Sequence, residues 1–575
     1  MAKPTLTEAV PVYRQIENNS GQEQVLGEAQ VVQRILKTVV GLSSGLGLVW
    51  VSATSAISAP VQSNSISEIG IDALRLHAPP YDLIGRKIAI GQVEIGRPGI
   101  FGLDKAVSQN QAVKVTQVFF RNTPAKVNAN VDAHAQGVAS IMVSLAKGMK
   151  GVAPGARLYS SAAGTPRRYG QPEECLSAQH VAIQNGGDVR AINFSFGESL
   201  KQDPRPNALL DGNALLTQCI DWSTRVHNVL YVIAGNQGKG GISIPTDNYN
   251  GINVAFSARV QGLYAKVDFA NLGDPALSNG SSEGIESNVG PRRAIGLMAP
   301  GDSVSLLNLS GRVTTSSGTS FAAPHVTATV ALLQEYGDRQ LRTSCQPNYG
   351  CTSLTWGLDS RRPEVMKAVL LNAADKIQDQ GNGLNLSMTR TVLDKNNRSW
   401  LESDAYRDRR IPLNAQMGTG HLNAFRAYQQ FSPGQWSPQA AVPAIAWDYR
   451  TVTLGESPYQ DYVLDQPLLA GSFVSATLTW NRLVELVDKN SNDEFDLDES
   501  FRDRGLNDLN LYLMRVEDDD IRQSIWSSES GVDSVEHIFY QVPKTGRYKL
   551  RVQFQRQVHQ SSQPYALAWW TKPSQ

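Results

Sequence analysis

The feature that most constrains the fold is the alternation of short apolar segments with helical segments between residues 68 and 430. The apolar segments are rich in Val, Ile and Ala, which is typical of strands buried on both faces. Buried strands are predicted at 87–93, 156–160, 189–194 and 229–234. Helices are predicted at 134–147, 173–185, 211–227, 320–337 and 363–375. Because strands and helices alternate, the pattern predicts an α/β domain of three layers, with helices enclosing a mainly parallel sheet.

A different pattern begins after residues 431–443, a stretch rich in Pro, Gly and Ser that is typical of a linker. In residues 444–575 the apolar positions recur with a period of two, as at 474–480 and 509–513, and later strands are predicted at 535–542 and 546–554. This periodicity predicts an antiparallel β-sandwich. A chain of 575 residues also calls for two folded domains, because a single core stops growing at about 250–300 residues.

The N-terminal part has its own character. Residues 1–37 are polar and are predicted to be flexible. Residues 38–58 contain a short apolar run preceded by Arg34 and Lys37 and followed by small residues, which is the layout of a secretory signal. Because the polar lead is long for a signal, an uncleaved anchor or a buried segment remains an alternative. We expect a periplasmic, extracellular or membrane-anchored protein, while a cytoplasmic location stays open.

The four cysteines are too few for a disulfide-dense scaffold. Cys345 and Cys351 flank a short loop that a bridge could close, and Cys175 and Cys219 lie in two predicted helical segments that could be neighbours. Free buried thiols and one or more disulfides both remain open, and export would favour disulfides.

The balance of charged residues indicates which classes of binding partner are unfavourable. The chain carries 53 Lys and Arg against 53 Asp and Glu, with an isoelectric point of about 7.1. This balance argues against nucleic acid as a partner, because that function calls for a basic surface. We expect a monomer with no lipid partner beyond the possible N-terminal anchor.

The most specific motif is Gly-Thr-Ser-Phe-Ala-Ala-Pro-His-Val at 318–326, where Ser320 opens a predicted helix. A helix N-terminus offers unpaired N–H groups and the positive end of the helix dipole, which would stabilise an oxyanion beside Ser320. Gly-Thr-Ser before a helix also suits an ordinary N-cap. The whole string, however, resembles the nucleophile motif of the subtilisin-like serine proteases, the subtilases.

The resemblance implies a general base for Ser320. Residues 134–140 resemble the histidine motif of the family and place His134 at the start of a helix. His325 is the competing histidine, but it lies inside the nucleophile helix, where the family motif has a packed residue. We therefore assign His134 as the base.

The resemblance also implies an oxyanion donor and a substrate-binding strand. Asn236, at the end of the apolar strand in 231–238, matches the oxyanion asparagine of subtilases. Residues 191–197 match the strand that pairs with an extended peptide substrate. The residues expected to line the main pocket are Ser195, Phe196, Gly197, Val232, Ile233, Ala234 and Gly235.

Further matches at 151–154, 298–301 and 418–424 extend the resemblance over residues 67–430, which we predict to be a subtilisin-like catalytic domain. The C-terminal domain resembles the β-sandwich of some bacterial subtilases, more loosely, through residues 507–511 and 533–552.

The sequence differs from the family pattern at the position of the acid in the expected triad. Subtilases have an Asp at the end of the first core strand, and Glu94 stands at that position. Glu can replace Asp in such triads, but it is one methylene longer, about 1.5 Å of extra reach. Asp132, two residues before His134, and Asp104, after the first strand, are alternatives. We favour Glu94.

Residues 488–499 resemble a 12-residue EF-hand loop, with Asp493 replacing the usual Gly at the sixth position. The oxygen ligands would be Asp488, Asn490, Asn492, Asp496 and Glu499. This predicts a structural calcium ion, and a solvated acidic loop is the alternative. We expect no cofactor for catalysis.

Together these residues predict a serine endopeptidase acting on polypeptides through Ser320, His134 and Glu94. Two other functions stay open. The first is a weakly active or inactive peptide-binding homologue, which the unusual Glu94 would favour. The second is a specialised processing protease or a peptide ligase that uses the same triad.

Overall fold

A computed structural model describes residues 64–107, 112–164, 170–198, 200, 203–235, 244–260, 262–266, 288–346, 350–351 and 355–574. The described helices are Ala73–His77 (α1), Ala133–Val143 (α2), Gln171–Ala182 (α3), Gln184–Gly187 (α4), Leu215–Val226 (α5), Thr319–Ser344 (α6), Pro363–Asn372 (α7), Asp404–Arg407 (α8) and Ala424–Phe431 (α9). None of the helices in these ranges is long and apolar enough to cross a membrane. The predicted signal at 38–58 and the polar segment 1–37 lie outside the described residues.

The N-terminal part is built on a ten-stranded sheet. Its strands are Ala89–Glu94 (β1), Val115–Phe120 (β2), Thr123–Pro124 (β3), Arg157–Ala162 (β4), Val189–Phe194 (β5), Leu230–Ala234 (β6), Ile252–Val260 (β7), Leu263–Lys266 (β8), Ile295–Pro300 (β9) and Val392–Leu393 (β10). The strand order is β10-β8-β7-β6-β5-β1-β4-β2-β3, with β9 also paired to β7. Among the described strands of this sheet, the β7–β8 and β2–β3 pairs are antiparallel and the other pairs are parallel. The prediction of a mainly parallel sheet is confirmed.

Helices cover both faces of this sheet. On one face, apolar residues of α2, α6 and α7 form a single cluster with β6 and β7, and on the other face α3 and α5 pack against β1, β5 and β6. The central strands β1, β5 and β6 are buried along their entire length. Strands enclosed in this way bury both faces, which is why their sequences are predominantly apolar.

The C-terminal part consists of two antiparallel four-stranded sheets, as the period of two predicted. Its strands are Ile445–Thr453 (β11), Tyr459–Val463 (β12), Phe473–Trp480 (β13), Asp508–Arg515 (β14), Trp526–Ser528 (β15), Val535–Gln541 (β16), Tyr548–Arg556 (β17) and Ser562–Trp570 (β18). The sheet orders are β11-β18-β13-β16 and β12-β17-β14-β15, and apolar residues from both sheets form one core.

Five two-stranded ribbons complete the structure. They pair Leu145–Ala146 with Met149–Lys150, Asn288–Val289 with Arg292–Arg293, Val304–Leu307 with Val313–Ser316, Cys345–Gln346 with Gly350–Cys351, and Leu483–Val487 with Ser500–Gly505. A disulfide joins Cys175 of α3 to Cys219 of α5, so one of the two pairings left open is present. The side chains of Cys345 and Cys351 lie outside the described part of the chain.

Helix α7 is the main contact between the catalytic fold and the sandwich. The hydroxyl groups of Ser475 and Thr477 on β13 donate to Asn372 Oδ1 over 2.9 and 3.0 Å. Thr479 Oγ1 donates to the backbone carbonyl of Glu364 over 2.9 Å. Because every second residue of β13 faces α7, the sandwich follows the helix along its length. The end of the catalytic domain at residue 430 and the start of the sandwich domain at residue 444 remain predictions.

A buried ion pair adds a second contact. Arg482, which follows β13, lies 2.7 Å from Asp221 of α5, and both side chains are at most 2% exposed. The guanidinium also donates to the carbonyl of Gly212 over 2.8 Å, and the carboxylate accepts the backbone N–H of Asn250 over 2.8 Å. Every charge in this contact is therefore paired and hydrogen-bonded, which is what makes burial of an ion pair tolerable.

We expect Asp221→Ala to lower the urea midpoint of unfolding by an amount equivalent to about 3 kcal/mol, because buried Arg482 loses its closest carboxylate and keeps only Asp503, which lies 3.4 Å away and is partly exposed. Tryptophan fluorescence during urea unfolding measures this midpoint. The matched control is Glu517→Ala, which removes an exposed partner of Arg515 and should change stability by less than about 1 kcal/mol. Equal effects of the two substitutions would contradict this role of the buried pair.

Candidate active site

Ser320 lies in the first turn of α6, at the edge of the sheet where the parallel strands end. The chain reaches this point through Gly318, whose φ of 142° suits glycine. The Gly318 N–H donates to the carbonyl of Gly301 over 2.8 Å. A Cβ added at Gly301 would lie 2.3 Å from the Cβ of Phe256, so this close approach requires glycine. The packing therefore holds the start of α6 against the sheet, and Ser320 is only 8% exposed.

Two hydrogen bonds join Ser320 to the end of β5. Ser320 Oγ donates to the carbonyl of Ser195 over 3.0 Å, and Ser195 Oγ donates to the carbonyl of Ser320 over 2.8 Å. Asn193 Nδ2 in turn donates to Ser195 Oγ over 2.8 Å, and Thr327 Oγ1 donates to Asn193 Oδ1 over 3.3 Å. We call Asn193, Ser195, Ser320 and Thr327 the serine network. It fixes the start of α6 to the predicted substrate-binding strand.

His134 is brought to the same edge by α2. The N-cap of this helix is Asp132, whose Oδ1 accepts the N–H of Ala135 over 2.8 Å. The imidazole lies beside Phe321, with ring centroids 5.4 Å apart, and its side chain is 38% exposed. His134 therefore contacts Phe321, the residue directly after Ser320. Within the described residues Ser320 Oγ bonds to Ser195 rather than to the His134 ring.

Glu94, the last residue of β1, faces the imidazole from the core side. Its Oε2 lies 3.3 Å from His134 Nδ1, and its side chain is 3% exposed. Burial lowers the pKa of His134, but the negative charge of Glu94 and, more weakly, that of Asp132 raise it, and the pKa is raised overall. Glu94 Oε1 has no hydrogen-bond partner among the residues that the structure describes. The contact lets Glu94 stabilise a protonated His134.

The two alternative acids, Asp104 and Asp132, form hydrogen bonds to groups other than the His134 ring. Asp104 is held on both carboxylate oxygens by Arg97, each at 2.7 Å, in a fully buried ion pair. Asp132 caps α2 and acts on His134 only through its charge. Of the three acids, Glu94 is the one that forms an ion pair with the His134 ring.

His325 is a packed residue, as expected. It is fully buried, and its ring contacts the carbonyl of Phe321 at 2.8 Å and Ser65 Oγ at 2.9 Å. Burial lowers its pKa to about 4, with the Phe321 carbonyl acting in the opposite direction. A neutral ring sealed in the core can reach neither Ser320 Oγ nor a substrate.

The predicted pocket residues divide into two groups. Ser195 is 2% exposed, whereas Phe196 and Gly197 are partly exposed beside it. Val232 and Ile233 are fully buried, in the apolar clusters on opposite faces of the sheet, so the prediction that they line a pocket is wrong. Their strand is covered by helices on both faces, and only its end, at Ala234 and Gly235, approaches the site. Asn236, the expected oxyanion donor, lies outside the described residues.

The serine network contains two residues to which the sequence analysis gave no role. Asn193 lies inside the motif at 191–197, so its position could have been noticed, but its bond to Ser195 depends on the conformation of the strand end. Thr327 lies 134 residues away from Asn193 along the chain. A threonine inside a helix carries no sequence signal for such a contact.

The predicted calcium loop adopts part of the expected geometry. Asp493, at the sixth position, has a φ of 60°, as this sharp turn requires. Asp488 accepts backbone N–H groups from residues 490, 491 and 493, and Glu499 accepts those of Lys489 and Asp496. No group of three or more His, Cys, Asp or Glu side chains in the described ranges is arranged to hold a metal. Asn490 Nδ2 and Asn492 Nδ2 both donate to Asp496 Oδ2, over 2.7 and 3.2 Å, so three of the five predicted ligands contact one another.

Comparison with known proteins identifies the family. The family model described as "Subtilase family" matches residues 81–389, more than half of the chain. The chain therefore belongs to the subtilase family.

Similar curated proteins include Subtilisin DY of Bacillus licheniformis, 29% identical over 208 residues, which are 36% of this chain and 65% of that protein. A thermostable alkaline protease of Halalkalibacterium halodurans is 26% identical over 259 residues, 42% of this chain and 62% of that protein. The chain thus matches less than two thirds of the length of each relative.

Similar solved structures include the prenylagaramide maturation protease PagA, at 19% identity and a TM-score of 0.37, covering 60% of this chain and 92% of that one. A cold-adapted subtilisin-like serine proteinase has 17% identity and a TM-score of 0.34, covering 54% of this chain and 89% of that one.

Proposed function

We propose that this subtilase is a serine endopeptidase with Ser320 as nucleophile, His134 as general base and Glu94 as the acid of the triad. The observation that carries the proposal is the 3.3 Å contact between Glu94 Oε2 and His134 Nδ1, made beside the start of α6. A buried carboxylate, an imidazole and a serine at a helix N-terminus are the groups that acyl transfer requires. No metal or organic cofactor is needed for this chemistry.

In the proposed mechanism Ser320 Oγ attacks the carbonyl carbon of the scissile peptide bond while His134 Nε2 accepts the hydroxyl proton. Glu94 stabilises the imidazolium that forms. The N–H groups at the start of α6, together with Asn236, hold the oxyanion. The imidazolium then gives its proton to the leaving amine as the C–N bond breaks. Water attacks the resulting ester by the same proton route, which releases the acid product and restores Ser320.

The hydrogen bond from Ser320 to Ser195 gives substrate a role in this first step. An extended peptide that pairs with residues 195–197 needs the backbone carbonyl of Ser195 as an acceptor for one of its own N–H groups. In the free enzyme that carbonyl accepts the Ser320 hydroxyl. A bound substrate would compete for it, so Ser320 would turn to His134 once the peptide is in place.

Two other functions use the same groups. A peptide-binding protein without activity would keep the strand end at 195–197, and the Ser320 hydroxyl turned towards Ser195 is the observation in its favour. A processing protease or ligase would use the same triad, and analysis of the products, hydrolysed or joined, separates it from a general endopeptidase.

We expect the purified protein to react with a fluorophosphonate probe and to cleave casein, with both activities lost in Ser320→Ala and His134→Ala. Glu94→Ala should lower kcat by about 10⁴, the loss measured when a triad loses its acid. Gel fluorescence and casein hydrolysis measure the two activities. The matched control is Asp132→Asn, which keeps the helix cap and should retain most of the activity. If Asp132→Asn lost its activity while Glu94→Ala kept it, Asp132 would be the acid of the triad.

The pH profile tests the same contact. The base must be unprotonated, so kcat/KM rises with pH through the pKa of His134. Because the charge of Glu94 raises that pKa, Glu94→Gln should move the acidic limb of the profile to lower pH while lowering the plateau. Asp132→Asn should move it in the same direction by a smaller amount. A limb that stays in place in Glu94→Gln, measured with a short chromogenic peptide, would contradict the assignment.

We also propose that loop 488–499 binds a structural calcium ion once Asp488 and Glu499 exchange their backbone partners for the metal. The left-handed turn at Asp493 supports this, as does Phe495, which anchors the loop through its burial against Trp222 and the disulfide. The ion would then fix this loop where the sandwich meets α3 and α5.

Calcium at about 100 times its Kd should stabilise the protein by about 2.7 kcal/mol, seen as a higher melting temperature that chelator reverses. Asp488→Asn should abolish the shift. Asp498→Asn is the matched control, because Asp498 is exposed and pairs with Lys489 outside the proposed ligand set. An equal calcium shift in Asp488→Asn, or none in the unmodified protein, would contradict the proposal.

We propose an exported, monomeric enzyme that takes polypeptide substrates. The predicted signal at 38–58 and the disulfide between Cys175 and Cys219 support export, because disulfides persist in oxidising compartments.

A further inference from the structure

A polar side chain lies inside the first strand of the sheet, beneath the helix that carries His134. Gln92 belongs to β1, a strand that is buried along its whole length, and its side chain is 0% exposed. Burying an amide costs free energy unless hydrogen bonds replace those it made to water. The presence of Gln92 at this position therefore needs an explanation other than packing.

Gln92 and Glu94 lie on the same face of β1. Successive side chains of a strand alternate between its two faces, so residues two apart share one face. Ile90, two residues before Gln92, packs in the apolar cluster that also contains Val138 and Ala139 of α2. The face that carries Gln92 and Glu94 is therefore the one that α2 covers.

Both side chains contact the first turn of α2. Gln92 Nε2 donates to the backbone carbonyl of Ala135 over 2.9 Å. Glu94 Oε2 lies 3.3 Å from Nδ1 of His134, the residue directly before Ala135. Glutamine and glutamate have the same number of bonds between Cα and their terminal atoms. Side chains of equal length therefore cross from β1 to this turn at two neighbouring points.

The second polar atom of each side chain is left without a partner. Gln92 Oε1 and Glu94 Oε1 are both buried with no hydrogen-bond partner among the residues that the structure describes. A buried acceptor left unpaired is unfavourable, so a methionine of similar length would suit the stability of this strand better than Gln92 does. What the amide adds is one directed bond, and that bond fixes the residue next to His134.

Two other hydrogen bonds hold the same turn, but neither of them comes from β1. Asp132 caps the helix from its own chain, and Gln136 Oε1 accepts the N–H of Gly99 over 3.0 Å, in the segment after β1. These two bonds fix the turn to the loops around it. The bond from Gln92 starts on the strand that carries Glu94, so it sets the distance between that strand and the turn.

We infer that Gln92 is a positioning residue of the triad, whose amide holds the first turn of α2 at the distance from β1 at which His134 Nδ1 meets Glu94 Oε2. The inference rests on the proposed function, since it takes this contact to support catalysis. In the described residues Gln92 bonds to the backbone of α2 rather than to Ser320. Its effect on the reaction therefore passes through the imidazole.

Gln92→Met in the full chain tests the inference, because it removes the hydrogen bond to Ala135 while keeping an unbranched side chain of similar length. We expect kcat for a short chromogenic peptide to fall about 10- to 100-fold, up to the loss that a misplacement of about 1 Å can produce. KM should stay nearly unchanged, since the bond that is lost lies in α2 and not in the peptide-binding segment 195–197.

The pH profile separates positioning from a general loss of folded protein. The charges that act on His134 are those of Glu94 on β1 and Asp132 at the N-cap of α2, and both raise its pKa. When Gln92→Met lets the imidazole move away from Glu94, that pKa should fall, so the acidic limb of kcat/KM should move to lower pH. A loss of folded protein would lower the plateau and leave the limb in place, which would overturn the inference.

The matched control is Ser160→Ala. Ser160 lies opposite Gln92 in the pairing of β1 with β4, is also 0% exposed, and its hydroxyl has no hydrogen-bond partner in the described part of the chain. The variant removes a buried polar group from the same level of the sheet without touching α2, so kcat and the acidic limb should both stay unchanged. An equal loss of kcat in Ser160→Ala and Gln92→Met would contradict the positioning role.

A double-variant cycle shows whether the effect passes through Glu94. In the Glu94→Ala chain the contact that Gln92 positions is absent, so adding Gln92→Met should cause little further loss of kcat. The same loss with and without Glu94 would refute the inference. If Glu94→Ala itself kept full activity, the proposed triad would be wrong and the inference would fall with it. A full effect of Glu94→Ala with none from Gln92→Met would refute the positioning role alone.

Gln92→Asn keeps the test valid if Gln92→Met does not fold, as judged by tryptophan fluorescence. Asn retains the amide but is one methylene shorter, so its nitrogen falls about 1.5 Å short of the Ala135 carbonyl. The same loss of kcat and the same shift of the acidic limb are expected. Unchanged kinetics with an unmoved limb in Gln92→Asn would overturn the inference.

Discussion

The candidate active site depends on the parallel pairing of β1 with β5, because parallel strands end at the same edge of a sheet. Val93 lies opposite Phe194 in this pair, so Glu94 and Ser195 leave their strands side by side. The serine network then ties α6 to β5, and α2 brings His134 to the same edge. An antiparallel neighbour would place Ser195 at the opposite end of β1, and no local change of sequence could bring the three groups together.

Glu94 shows how a longer side chain is accommodated at this edge. One carboxylate oxygen reaches His134, while the other is buried with no partner in the described residues. Leaving a buried acceptor unsatisfied costs about 1–3 kcal/mol. A side chain kept only for stability would gain from a partner on both oxygens, as Asp104 has with Arg97. The one-sided contact is better explained by the charge that Glu94 provides to the imidazole.

Local patterns and motif order predicted the elements and one contact between them, whereas contacts outside the motifs were not predicted. The strand at 189–194 and the contact of Glu94 with His134 follow from local pattern and motif order, and both are present. Val232 and Ile233 were misplaced because nearness to Asn236 in the chain says nothing about strand faces, and β6 is buried on both. The burial of Glu174 gave no signal either, since a glutamate in the first turn of a helix usually faces solvent and complements the helix dipole.

Buried glutamates at two places in the catalytic fold differ in what they face. Glu94 faces an imidazole whose side chain remains 38% exposed, so a proton can arrive there and be stabilised. Glu174 and Glu198 are hydrogen-bonded to each other, and burial raises the pKa of both carboxyl groups. Burial is nearly the same in both places. The neighbouring group therefore decides whether a buried glutamate stabilises an imidazolium or is itself stabilised in its protonated form, and that neighbour is determined by the fold.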